Sequence, residues 1–187
     1  MLALEGSAAL ADTRAVLTRL RGEKGFGLIE LLMAMTMLNI GILALVAAFN
    51  SGAIALKRAS RISTAAALAD AQMELYRAIT YNAIALDDNT TKNSTDTLYR
   101  NDTVLGGNIN NDQTTTGCVS PLPNECIPTR NAVGADHTKY RVDTYVTLTT
   151  PPNGRSVKLV TVVVRDGFSP YGTLAREQST FDQSTGS

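Results

Sequence analysis

The chain has 187 residues with 17 basic and 17 acidic side chains, so its formal net charge is zero, and only 5% of its residues are aromatic, with no Trp. That balance lacks the basic excess of a nucleic-acid binder and the stacking platform of a single-strand reader, so no nucleic-acid partner is expected. The length allows one compact domain of about 100 residues beyond any anchoring segment.

Residues 1–25 read as a leader. They lack the apolar core of a secretory signal peptide, because Glu5, Asp12, Arg14, Arg19, Arg21, Glu23 and Lys24 interrupt their Ala and Leu residues. The leader is expected to stay cytoplasmic. It then meets an apolar run across the boundary Lys24-Gly25-Phe26-Gly27-Leu28-Ile29-Glu30, and no charged residue follows between Leu31 and Leu56. At about 1.5 Å per helical residue, such a run can cross a hydrocarbon core of roughly 30 Å, so residues 26–56 are expected to form a membrane helix with lipid as a partner. Glu30 needs a reason to be there. An ionised side chain at mid-membrane depth costs about 2.5 to 3.5 kcal/mol even on lenient scales.

Gly25, Phe26 and Glu30 resemble the processing site of type IV prepilins and of type II secretion pseudopilins, whose usual form is Gly-Phe-Thr-Leu-Ile-Glu; Gly27 here stands in the threonine place. The likeness runs through the apolar helix to about Tyr81. It implies cleavage between Gly25 and Phe26 by a membrane-embedded prepilin peptidase, with N-methylation of Phe26 by the same enzyme. It also implies partners: other pilin or pseudopilin subunits and an inner-membrane assembly platform. The expected location is the bacterial inner membrane, single-pass with an extracytoplasmic head, and then a pilus or pseudopilus. Charge cannot set that orientation, since Arg19, Arg21 and Lys24 flank one end of the run while Lys57, Arg58 and Arg61 flank the other. The leader is longer than many of its kind, which leaves initiation at a later codon, such as Val16 or Leu20, open.

The physical chemistry of the motif is coherent with this. Glycine before the cut gives a backbone free of side-chain obstruction. An α-amine such as the one cleavage would expose on Phe26 ordinarily titrates at about 7.7 to 8.0 and is mostly cationic at neutral pH, so it can serve a neighbouring subunit's Glu30 as counter-ion. Either charge left alone in an apolar medium is far worse than the pair, which makes Glu30 a candidate for setting axial register. A carboxylate that snorkels to the headgroups is the plainer alternative.

Beyond the run the helix pattern continues over 57–85, with Leu68, Leu75, Tyr76 and Ile79 recurring at helical spacing and Arg61, Asp70, Glu74 and Arg77 on other faces. Glu74 and Arg77 are spaced for an i,i+3 pair. One helix of about 50 residues is the simplest reading; a break near Asn50-Ser51-Gly52 is the alternative. Residues 86–137 turn to Asp, Asn, Thr and Gly and read as a long solvated connection. Asp87, Asp88, Asp102 and Asp112 do not have the spacing of a calcium loop, and no metal or other cofactor is expected. Cys118 and Cys126, among Pro121, Pro123 and Pro128, favour a disulfide given an exported location; a zinc site or free thiols remain the alternatives, with His137 the only histidine.

The rest, 138–181, reads as β-structure. Tyr140, Val142, Val146 and Leu148 alternate with Arg141, Asp143 and Thr147, as in a half-buried strand; Pro151-Pro152-Asn153-Gly154 supplies a turn; Val157 to Val164 is apolar enough to be a central strand; Thr173 to Phe181 offers a third. Residues 182–187 form a polar tail. The expected fold is α+β: a long N-terminal helix, hydrophobic and then amphipathic, packed on a small antiparallel sheet. His137 beside Asp136 has no nucleophile motif with it, so no catalytic residue is assigned and the chain is read as a structural subunit rather than an enzyme. The run Leu31-Leu32-Met33-Ala34-Met35 looks more like minor than major subunits. An adhesin or a competence pilin for DNA uptake, and an unprocessed single-pass membrane protein, are the other readings.

Overall fold

The computed structural model describes residues 27–152 and 154–184, so the leader, Gly25 and Phe26 lie outside the described residues. Two compact units divide between Ile54 and Ala55. One helix, α1, covers Leu28–Arg77, 50 residues without a proline, and contributes to both. It begins where Gly27 O accepts from Glu30 N–H at 2.9 Å and from Leu31 N–H at 3.1 Å. The helix assignment continues through Asn50-Ser51-Gly52 but stops at Arg77, short of the expected residue 85: Tyr81–Ala83 forms a 3-10 turn, and Leu86 N–H donates to Gln113 O at 2.9 Å, so the chain leaves the helix to pair as strand.

In the first unit every described side chain of α1 is exposed. The helix from Leu28 is long and apolar enough to cross a membrane. An apolar surface of this size with nothing packed on it is not a globular core waiting for loops. Each large side chain left in water forfeits about 1.5–3 kcal/mol of burial, so the run requires lipid or protein around it.

The second unit is built on a four-stranded antiparallel meander, in the order β3 (Thr129–Val133), β4 (Lys139–Thr149), β5 (Val157–Asp166) and β6 (Thr173–Phe181). A short parallel pair, β1 (Leu86–Asp87) and β2 (Thr114–Thr115), lies apart from it. Between β1 and β2 come two short α-helices, α2 (Asp88–Lys92) and α3 (Thr97–Arg100), and two 3-10 turns, Thr103–Leu105 and Ile109–Asn111. The even-numbered residues of β4 and β5 turn toward α1. Tyr140, Val142, Val146, Val160, Val162 and Val164 form one core with Ala65, Ala69, Met73 and Tyr76 of the helix, and Ile84 and Leu86 complete it. Small residues at 65 and 69 let the helix backbone approach the sheet, and Met73 fills the gap that follows. The buried helix stripe thus differs from the one the large apolar residues predict: Leu68 and Ile79 pack at its margin, and Leu75 lies outside it. Size on a helical wheel does not reveal where a sheet of β-branched residues needs a short partner.

The odd-numbered residues are buried as well, which corrects the half-buried reading of β4. Tyr145 and Val163 form a second core with Tyr99, Leu105 and Ile109, all drawn from the 86–137 stretch. That stretch is therefore no solvated connection. It covers the outer face of the sheet and contains β3, the fourth strand. Three layers result: helix, sheet and an irregular covering segment.

Candidate functional site

Glu30 stands in the first turn of α1, three residues after the glycine whose carbonyl accepts the first helical hydrogen bonds. A carboxylate there is favoured by the helix dipole, by about 0.3–1 kcal/mol where solvent reaches it. Its side chain is exposed, as are Leu28, Ile29 and Leu31 around it. No ion pair to Glu30 forms among the described residues. A carboxylate thus sits at the start of an exposed apolar helix, and the sequence places Gly25 and Phe26 immediately ahead of it.

Cys118 and Cys126 are joined in a disulfide, with Cα atoms 6.3 Å apart. The residues that close the loop are fastened to the helix. Tyr76 Oη donates to Glu125 O at 2.5 Å, Gln72 Nε2 donates to Asn124 O at 3.0 Å, and Cys126 O accepts from Asp87 N–H at 2.9 Å. Gln72 also accepts from Arg130 Nε at 3.0 Å, so its buried amide is paired at both ends. Burial pushes the Tyr76 hydroxyl well above its ordinary value, which keeps it a donor at any physiological pH. A shallow cleft runs between the loop and the chain just after α1, lined by Ile79, Ala83, Val119 and Pro121.

The covering segment is held to the sheet by charge. Asp143, fully buried on β4, accepts from Arg141 Nε at 2.8 Å, from Arg165 Nε at 2.9 Å and from Thr129 Oγ1 at 2.9 Å. Each of these arginines then reaches a second carboxylate outside the sheet. Arg141 Nη2 lies 2.6 Å from Asp96 Oδ2, an ion pair rather than an aligned hydrogen bond, and Arg165 pairs with Asp102. Both outer aspartates use their other oxygen as a helix cap. Asp96 Oδ1 accepts from Leu98 N–H at 3.0 Å, and Asp102 Oδ1 accepts from Val104 N–H at 2.9 Å. Burial pushes the Asp96 carboxyl up, but the Arg141 guanidinium and the amides of Tyr99 and Leu98 more than offset it and hold it below its usual value. The polarity of the segment is thus a set of caps and clamps rather than hydration.

Asp112 is a second carboxyl buried against the sheet. Its Oδ1 accepts from Val146 N–H at 2.9 Å, and Gln113 N–H donates to Val146 O at 2.6 Å, so residues 112–113 continue the pairing on the β4 edge beyond the end of β3. Tyr99 Oη lies 2.7 Å from Asp112 Oδ2 and 2.8 Å from Thr144 O, while the Tyr99 ring stacks on Tyr145 with centroids 4.6 Å apart. The sequence alone does not mark Asp96, Asp112 or Asp143 as structural; only the recurrence of aspartates just before short helical turns could have marked the caps.

His137 is exposed in the β3–β4 hairpin with a φ of 57°, its N–H donating to Gly134 O at 3.0 Å. Asp136 turns away from it to accept from Tyr140 Oη at 2.7 Å. No cluster of three or more metal-ligating residues occurs among the described residues. Compared with known proteins, the chain matches no family model, no curated sequence and no solved structure.

Proposed function

We propose that this chain is a structural subunit of a type IV pilus or a type II secretion pseudopilus, of the minor-subunit kind, processed by a prepilin peptidase and assembled through its N-terminal helix. One observation carries the reading: a helix that starts at Leu28, directly after Gly27, bears Glu30 in its first turn and leaves its apolar side chains exposed from Leu28 to Leu56. Cleavage after Gly25 would put a new cationic amine a few residues before that carboxylate. Within one subunit the helix then carries both a positive and a negative group at one end of an apolar rod. Staggered neighbours can pair them, and helix packing buries the apolar surface that the subunit alone cannot. The α+β head, with its disulfide and two cores, suits an extracytoplasmic domain that must hold its shape outside the membrane. Its partners on this reading are the peptidase, the inner-membrane platform and other subunits.

The test is the amino-terminal sequence of the membrane-associated protein from cells with an active prepilin peptidase. It is expected to begin at N-methylated Phe26. An intact leader in those cells refutes the assignment and leaves a plain single-pass membrane protein.

A further inference from the structure

We propose that the β5–β6 turn, Phe168 to Tyr171, docks the head on an anionic bilayer surface while the protein is membrane-anchored. The inference rests on the reading that residues up to Leu56 are embedded, and it concerns only the unit from Ala55 onward.

Strand direction fixes where the turn lies. At one end of the sheet Lys158 Nζ donates to Tyr81 O and Ile84 O at 2.9 and 2.7 Å, beyond the C-terminal end of α1. At the other end Asp166 pairs with Arg61 at 2.7 Å, and Gly134 lies so close to the Thr64 side chain that a Cβ there would clash with it. The β3–β4 hairpin and the β5–β6 turn therefore sit beside the first packed turn of the helix in this unit. Arg61 is only five residues past Leu56, about 7–8 Å along a helix axis, and the interfacial layer outside the hydrocarbon core is roughly 5–8 Å thick on each side.

That end of the sheet exposes apolar side chains. Phe168 is 62% exposed, Val133 63% and Tyr171 37%. Exposed aromatic residues at this depth are the chemistry of the membrane–water interface. The turn is also firmly held. Gly167 N–H donates to Lys139 O at 3.1 Å, Tyr171 N–H to Phe168 O at 2.8 Å, and the Arg141 guanidinium lies 5.6 Å from the Tyr171 ring centroid. A fixed turn presents Phe168 with little ordering cost. Charge selects the surface: Lys57, Arg58 and Lys139 are exposed close by, whereas the nearby carboxylates are engaged, Asp166 by Arg61 and Asp136 by Tyr140. Cations around an aromatic wedge suit anionic headgroups.

The chain contains no Trp, so single substitutions give clean fluorescent reporters. The full chain is reconstituted in anionic vesicles that contain lipids brominated near the headgroups and lipids brominated near the chain ends, with Phe168→Trp, Leu148→Trp near the opposite end of the sheet, or Leu45→Trp in the apolar run. Docking predicts quenched, blue-shifted emission for Phe168→Trp, weaker quenching for the same variant in zwitterionic vesicles, and none for Leu148→Trp. The proposal is overturned if Phe168→Trp is quenched no more than Leu148→Trp while Leu45→Trp is quenched. Unquenched Leu45→Trp would remove the embedded-helix premise and the proposal with it. Equal quenching in both lipids would overturn the choice of an anionic surface.

Discussion

Hydrogen counting at Asp112 decides its protonation. Tyr99 has one phenolic hydrogen but two acceptors within reach, Asp112 Oδ2 and Thr144 O. Both contacts are satisfied together only if Asp112 is neutral and donates to Tyr99 Oη, which then donates to Thr144 O. Burial pushes the Asp112 carboxyl up to about 7, against the opposing pull of Tyr99 and the Val146 amide, so the neutral acid is the dominant form below neutrality. Tyr99 faces it from the covering segment with Tyr145 of β4 stacked on the Tyr99 ring, and the Asp143 charge lies near Tyr99. A folded value above the unfolded 3.8 means that this contribution is present in full at acid pH and is lost as pH rises toward 7. Asp112→Asn keeps both contacts, because its amide donates to Tyr99 while its oxygen accepts from Val146. Urea denaturation of the full chain in detergent is therefore expected to show wild type weakening by about 1–3 kcal/mol between acid and neutral pH relative to Asp112→Asn. Parallel pH profiles for the two would show that Asp112 is ionised in the fold.

Asp143 answers to the opposite logic. It is fully buried between two guanidinium groups that are themselves more than nine-tenths buried. Asp143→Ala is expected to cost about 2–4 kcal/mol, somewhat under the full price of orphaning a buried charge, since Arg141 and Arg165 keep Asp96 and Asp102. The same denaturation midpoints measure it; a loss no larger than that of an exposed substitution such as Asp70→Ala would show that the outer carboxylates suffice.

Among the elements, the disulfide loop shows how covalent and packing constraints combine. The crosslink spans eight residues, a short loop whose closure limits the unfolded chain by about 2–3 kcal/mol. Its tail is already tied to α1 by Tyr76 and Gln72. Replacing both cysteines by serine is expected to lower stability by that amount while leaving the two cores intact. Near-ultraviolet circular dichroism from the buried tyrosines should persist in the double variant, and its loss would mean that the crosslink organises the sheet as well. The long helix divides its labour by composition. Its first half has no polar face to define a stripe, whereas its second half buries a narrow one built on Ala65, Ala69 and Met73.

On the scale of the whole molecule, the contacts that hold the head together lie from Ala55 onward, and among the described residues what precedes it is an exposed apolar helix with one carboxylate. On the proposed filament reading, assembly and folding are therefore separable. Glu30→Ala is expected to leave membrane insertion and head stability unchanged and to lower incorporation into filaments by about tenfold or more, the ratio that an unpaired amine in an apolar interface implies. Immunoblots of sheared filaments against membrane fractions measure it. Undiminished incorporation would show that the register comes from helix packing alone.

How much of this is legible from the chain alone follows from the range of the interactions involved. The apolar run, Glu30 at its start, the second-half helix as far as Arg77, the apolar strand Val157 to Val164 and the pairing of the only two cysteines are local or compositional facts, and local physics reads them correctly; the helix end at Arg77 is set by pairing of the chain that follows and is read too long. The covering segment is misread because its Asp, Asn and Thr residues carry the composition of a solvated loop. Whether an aspartate caps a turn, meets an arginine from a strand or faces water depends on what the chain brings opposite it, tens of residues away: Asp102 on Arg165, Asp112 on Val146, Asp96 on Arg141. The choice of alanine over leucine for the buried stripe is likewise made by the sheet. Sequence alone thus determined that the chain has an apolar helix with a carboxylate at its head and a small α+β domain behind it. That the central strands β4 and β5 are buried on both faces emerges only from packing, because burial of a polar side chain is settled by its partners and not by its own hydropathy.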